Sequence, residues 1–162
     1  MSALLNASEI VEFAIQIEQN GYKFYIESMK KLNDTRITEL FQFLADEEFR
    51  HERLFKDLLG KVGSAQAAHE SYPGEYQSYM KEFLKTHALA NETVLKEKIA
   101  GIKNLDDAVK MALEFEKDSI VLFTGLKNYV KEDVKEPVEK IVQEELTHIL
   151  KINNFRNQFI KG

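Results

Sequence analysis

Glu18, Glu48-x-x-His51, Glu116 and Glu145-x-x-His148 form two copies of one arrangement: a lone glutamate, then a glutamate and a histidine three positions apart. The copies are offset by 98, 97 and 97 positions for the first glutamate, the second glutamate and the histidine. Residues three apart share a helix face, so each Glu-x-x-His can present a carboxylate and an imidazole toward one point. A single such motif carries little information in a chain with 20 glutamates; its repetition with a matched partner glutamate carries much more. Four carboxylates with two neutral imidazoles bear a charge that two divalent cations neutralise. Without cations, crowding in a low dielectric would force protons onto several of them. An oxygen-rich, nitrogen-poor set suits iron, with manganese as the alternative, better than structural zinc.

Helices must position these groups. Through "ADEEFRHERLF" the inward stripe reads Ile37, Phe41, Leu44, Glu48, His51, Phe55, Leu58, the seam of a helix in a bundle. An ionised carboxylate in such a seam is costly unless something at that level compensates. The pattern predicts a first helix from about Ala7 to Leu32, capped by Asn6 or Ser8, with the stripe Leu4, Val11, Ile15, Glu18, Tyr22, Tyr25, Met29, Leu32. After a turn at Asn33 to Thr35, a second helix runs to about Leu59 and ends at Gly60 and Gly63. A third, capped by Asn104 or Asp106, runs to about Val130 with the stripe Val109, Leu113, Glu116, Ile120, Phe123. The fourth, with Pro137 in its first turn, carries Val138, Ile141, Glu145, His148, Ile152, Phe155 and Phe159.

Glu18 and Glu48 are symmetric about the first turn, at Asn33, and Glu116 and Glu145 about the second, near Val130. Folding each pair of helices there brings its glutamates level, roughly 22 Å from the turn at about 1.5 Å per residue. The expected architecture is an all-α, ferritin-like four-helix bundle in a single domain over residues 1–162. Two helical hairpins, about 7–60 and 104–160, are joined by a long, partly helical crossover, about 63–103, long enough to return along the bundle.

Composition narrows the function classes. The net charge of −5 and the lack of a basic run argue against nucleic acid as a partner. No apolar run approaches the ~20 residues of a membrane span, and "MSALLNASEIVEF" lacks the basic and apolar regions of a signal peptide, so the expected location is the cytoplasm. Absence of cysteine excludes disulfides, thiolate zinc sites and a cysteine-held iron centre within this sequence.

The segments "AIQIEQNGYKFY", "LADEEFRHERLF", "ALEFEKDSIVLF" and "IVQEELTH" together resemble the rubrerythrin branch of the ferritin-like diiron-carboxylate superfamily. The resemblance covers the four-helix portion and implies a diiron centre that reduces hydrogen peroxide or reacts with dioxygen. It makes Glu18 and Glu116 terminal ligands, Glu48 and Glu145 bridges, and His51 and His148 ligands of one ion each. A homodimer is compatible with it. Two departures bear on activity. Full-length rubrerythrins carry a rubredoxin-like domain; with no cysteine here, the expected electron donor is a separate protein such as a rubredoxin. The family's extra glutamate, three residues after the third-helix ligand, is replaced by Ser119, which favours the alternative of a ferroxidase or iron-buffering and delivery protein without sustained turnover.

Other residues receive plainer readings. Tyr22 and Tyr25 read as core aromatics, with contact to the ligands, Tyr22 in particular, as the functional alternative. Glu47 and Glu144 read as solvent-facing, with bonds to the ligands as the alternative; Asp46 and Glu52 read as surface charges. His69 and His87 lack a partner at ligand spacing and receive no function.

Overall fold

The computed structural model describes residues 5–62 and 74–160, so Leu4, Gly63 and His69 lie outside the described residues. Six α-helices carry the fold: α1 (Ala7–Leu32), α2 (Thr35–Val62), α3 (Glu75–Thr86), α4 (Glu92–Ala100), α5 (Leu105–Leu126) and α6 (Glu132–Phe159). Helix α1 packs along α2 and α5 along α6, and the two hairpins meet through α1 against α5 and α2 against α6.

Local chemistry sets the ends. Asn6 accepts from the Glu9 amide at 2.9 Å while the Glu9 carboxylate accepts from the Asn6 amide at 2.8 Å, a reciprocal cap for α1. Asn33 closes α1 in the left-handed region (φ 46°), which asparagine tolerates better than most residues. Asn104 caps α5 by accepting from Asp107 at 2.9 Å. Three boundaries differ from expectation. Gly60 does not end α2, which continues to Val62, because a glycine flanked by good helix formers costs only about 1 kcal/mol. Helix α5 stops at Leu126 and tightens into a 3₁₀ turn, Lys127–Tyr129. Helix α6 starts ahead of Pro137, at Glu132, so Pro137 sits in the second turn, where its missing N–H leaves the Asp133 carbonyl without its helical partner.

The crossover holds two helices and a 3₁₀ turn, Ala88–Ala90, and runs the length of the bundle. At one end the Tyr76 hydroxyl donates to the Leu122 carbonyl at 2.8 Å, and its ring lies against Gly125 where a Cβ would sit 2.0 Å away. At the other end Lys31 Nζ donates to the Ile99 carbonyl at 3.0 Å. Midway, Asn20 Nδ2 donates to the Leu89 carbonyl at 2.6 Å. His87 does have a partner: its Nδ1 accepts from the Leu89 amide at 3.1 Å, so its Nε2–H donates to Asp118 Oδ2 at 2.6 Å, pinning the crossover to α5.

Apolar layers close the interior on both sides of the glutamate level. Toward the α1–α2 turn, Phe24, Tyr25, Phe41 and Phe115 interlock with ring centroids 4.9 to 5.9 Å apart. Toward the opposite end, Phe55 packs on Phe123 at 4.9 Å. Among the described residues, no helix is long and apolar enough to cross a membrane.

Candidate metal centre

All six polar residues of the repeated motif meet in the bundle interior. Glu18, Glu145 and His51 have no exposure at all, and the most exposed of the set, Glu48, reaches only 6%. Their donor atoms fall into two overlapping clusters, each within 4.8 Å: Glu18, Glu48, His51 and Glu145, and Glu48, Glu116, Glu145 and His148. Glu48 and Glu145 belong to both. Glu145 sits between the imidazoles, with Oε1 3.2 Å from His51 Nδ1 and Oε2 2.8 Å from His148 Nδ1. The outer carboxylates take one imidazole each: Glu18 lies 3.8 Å from His51 Nδ1 and Glu116 lies 3.4 Å from His148 Nδ1.

Gly21 makes room for this. It faces inward one turn beyond Glu18, and a Cβ there would lie 3.0 Å from Glu48 Oε2. Tyr22, next to it, is turned outward at 37% exposure against Phe49, and its hydroxyl bonds none of the six. Tyr22 is therefore neither the core aromatic expected nor, as in the alternative, a neighbour of the ligands. A stripe of apolar side chains steps over a glycine, and here the inward position belongs to Gly21. Tyr25 is the tyrosine that contacts the site, its buried hydroxyl donating to Glu116 Oε1 at 2.5 Å.

A second layer surrounds the imidazoles. His51 Nε2 lies 2.8 Å from Glu144 Oε2, and His148 Nε2 lies 3.7 Å from Glu47 Oε2. Arg50 spans both carboxylates, donating from one nitrogen to Glu47 at 2.7 Å and to Glu144 at 2.7 Å. Glu47 and Glu144 are thus neighbours of the imidazoles rather than solvated charges. A signal for this stood in the sequence, since each directly precedes a motif glutamate, but the arginine linking them acts across α2 and α6. Glu52 is also buried, at 8%, bonded by Gln19 at 2.8 Å and Lys56 at 2.7 Å.

The electrostatics are those of a site built for cations. Burial, reinforced by Glu48, drives the Glu18 carboxyl well above its usual range, and burial with Glu145 pushes Glu116 up to about 8. Burial also raises Glu48. Burial opposes charge on the imidazoles, but Glu145 raises His51 to about 9, and Glu116 with Glu145 raises His148 to about 11. Burial and Glu48 oppose charge on Glu145 too, but the hydrogen bond with His148 and the nearby His51 imidazole hold it below the usual range. Protons thus occupy the cluster in place of other positive charge. Even so, both oxygens of Glu18, Oε1 of Glu145 and Nδ1 of His51 have no hydrogen-bond partner among the described residues. Each orphaned buried group costs about 1–3 kcal/mol, so a compensating ion fits. The donor set fits a pair of divalent cations: six inward donors, two of the carboxylates shared, and charges that balance.

Comparison with known proteins agrees with this architecture. The Rubrerythrin family model matches residues 9–155. A crystal structure from Thermotoga maritima, described as that of a ferritin-like diiron-carboxylate protein, superposes with a TM-score of 0.66 at 23% identity, covering 97% of this chain and 98% of that one. A search of curated proteins finds no match.

Proposed function

Because the chain belongs to the rubrerythrin family, a family of non-haem diiron proteins, we propose that it is an oxidoreductase that reduces hydrogen peroxide or dioxygen at a diiron centre. Electrons come from an external donor protein such as a rubredoxin, and the chain works in the cytoplasm. The observation that supports this is the pair of overlapping clusters sharing Glu48 and Glu145. Glu18 and His51 would hold one ion and Glu116 and His148 the other, with Glu48 and Glu145, common to both clusters, shared between them.

Bound iron, or manganese as the alternative, supplies the redox equivalents. The protein's own work is positional and electrostatic. The phenylalanine layers above and below exclude water, which strengthens every interaction inside. Glu144 and Glu47 face the outer imidazole nitrogens, which fixes the ring orientation and leaves Nδ1 inward. The Tyr25 hydroxyl donates to Glu116 Oε1 and so orients that carboxylate.

Anaerobic iron loading followed by peroxide tests the reading. Two irons per chain and sustained peroxide consumption with a supplied reductant are expected. Glu48→Ala and His148→Ala should abolish dinuclear loading, while His87→Ala should leave it intact. Equal loss in all three would refute the site. The second reading, a ferroxidase or iron buffer, draws on Ser119, buried one turn from Glu116 where the resemblance places a further carboxylate. It predicts a single oxidation of Fe(II) and then no turnover.

A further inference from the structure

The six motif residues are sealed inside the bundle, yet ions must reach them. Beside the inner pair of clusters is a third group of possible ligands: Glu47, Glu144 and His51, with donor atoms within 4.8 Å of one another. It differs in exposure. The Glu47 and Glu144 side chains keep 22% and 25% of their surface in solvent. His51 belongs to both places, with Nδ1 facing Glu145 at 3.2 Å and Nε2 facing Glu144 at 2.8 Å. His148, 1% exposed, also turns toward the outer group: its Nε2 has no hydrogen-bond partner and its nearest outer carboxylate oxygen, on Glu47, is 3.7 Å away.

A cation already occupies this outer position. One guanidinium nitrogen of Arg50 lies 2.7 Å from Glu47, 2.7 Å from Glu144 and 3.4 Å from His51 Nε2. Its side chain is 40% exposed and belongs to a long, rotatable residue. Exposed ion pairs are worth about 0–1 kcal/mol each, and the guanidinium is the most exposed member of this group, so it is the one that can leave.

Resting on the dinuclear reading above, we propose that Glu47, Glu144 and His51 Nε2 form an outer site for a divalent cation on its way to the buried centre, and that Arg50 is the displaceable plug of that site. A metal ion entering the outer site expels the guanidinium, keeps carboxylate oxygens around it, and passes inward beside the His51 ring. After it passes, Arg50 returns and neutralises the entrance. Arg50 in this role is neither a ligand of the inner centre nor merely a brace for the imidazoles, because a brace would change affinity and leave the rate of filling alone.

The test measures filling directly. Metal-free full-length chain is mixed with cobalt(II) chloride, aliquots are quenched at timed intervals with excess chelator and desalted, and retained cobalt is counted. The double variant Glu47→Gln/Glu144→Gln should fill at least tenfold more slowly than the parent, each rate being taken relative to that protein's own end point. Arg50→Gln should fill several-fold faster. Equal rates for all three proteins would overturn the proposal and route entry elsewhere, for example past Glu48. A lower end point with an unchanged rate would also overturn it, making the outer carboxylates orienting groups only. If the double variant loses its helical circular dichroism, Arg50→Gln carries the test: an unchanged or slower rate overturns the plug. Failure of the parent chain to retain two ions would refute the dinuclear reading itself.

Discussion

Gly21→Ala should move the stability of the metal-free chain and its affinity for metal in opposite directions. Glycine within a helix costs about 1 kcal/mol relative to alanine, so substitution in α1 recovers about that much. The new methyl group is buried and adds up to about 0.8 kcal/mol. Against this, its carbon would lie 3.0 Å from Glu48 Oε2, 3.3 Å from Cδ and 3.5 Å from Cγ. Those atoms are the far end of a flexible side chain, so a shift of a few tenths of an ångström relieves the contact. In the metal-free protein the Glu48 carboxylate can shift by that much, and the net effect is a gain of about 0.5–1 kcal/mol by urea denaturation in chelator. On the proposed reading Glu48 would be shared by both ions in the loaded protein, and ligand positions must be kept within about 0.5 Å. The same displacement then weakens binding by about tenfold or more, about 1.4 kcal/mol, read by competition titration with cobalt(II) or manganese(II). A variant that binds both ions as tightly as the parent would show that Glu48 bridges nothing at that place. A metal-free variant destabilised by more than about 2 kcal/mol would show that Glu48 cannot yield, and the argument from side-chain freedom would fail.

Tyr25→Phe removes the hydroxyl bonded to Glu116 and should destabilise the metal-free bundle by about 1–2 kcal/mol, measurable as a lower urea midpoint at unchanged slope. Gly125→Ala places a carbon 2.0 Å from the Tyr76 ring, so α3 must shift or undock; a loss of about 1–3 kcal/mol, with faster amide exchange in Glu75–Thr86 than elsewhere, is expected, and unchanged exchange there would contradict the packing. The pH dependence has a definite sign. Folding raises Glu116 to about 8, His51 to about 9 and His148 to about 11, each above its ordinary value, so the folded metal-free state binds more protons than the unfolded state between those limits. Stability should fall as pH rises from about 6.5 to 9, by about 1.4 kcal/mol per pH unit for each full proton of difference. The loaded protein, where cations replace those protons, should show a flatter profile; a metal-free stability that rises over the same range would refute the protonation pattern.

Sequence alone was enough for much of this because the motif glutamates and histidines obey two rigid periods. Helical spacing puts Glu48 above His51 and Glu145 above His148, and the equal distances of Glu18 and Glu48 from Asn33 bring them level once the hairpin closes. Backbone geometry enforces both, whatever the surrounding side chains do. The caps were legible to two candidates each, Asn6 or Ser8 and Asn104 or Asp106, and the structure selects Asn6 and Asn104. What lay beyond reach depended on which side chains meet across helices. Tyr22 and Tyr25 both fit an apolar stripe, and only packing turned Tyr22 outward and set Tyr25 on Glu116. Gly21 gives no signal in a search for apolar residues, because its role is to leave space for an atom of another helix. Glu47 and Glu144 look like surface charges until α2 and α6 lie side by side and Arg50 joins them. Positions within one helix follow from its 3.6-residue period; the partners of Glu48, Glu116 and the two imidazoles follow from how four such helices are packed, and that distance information exists only in the folded molecule.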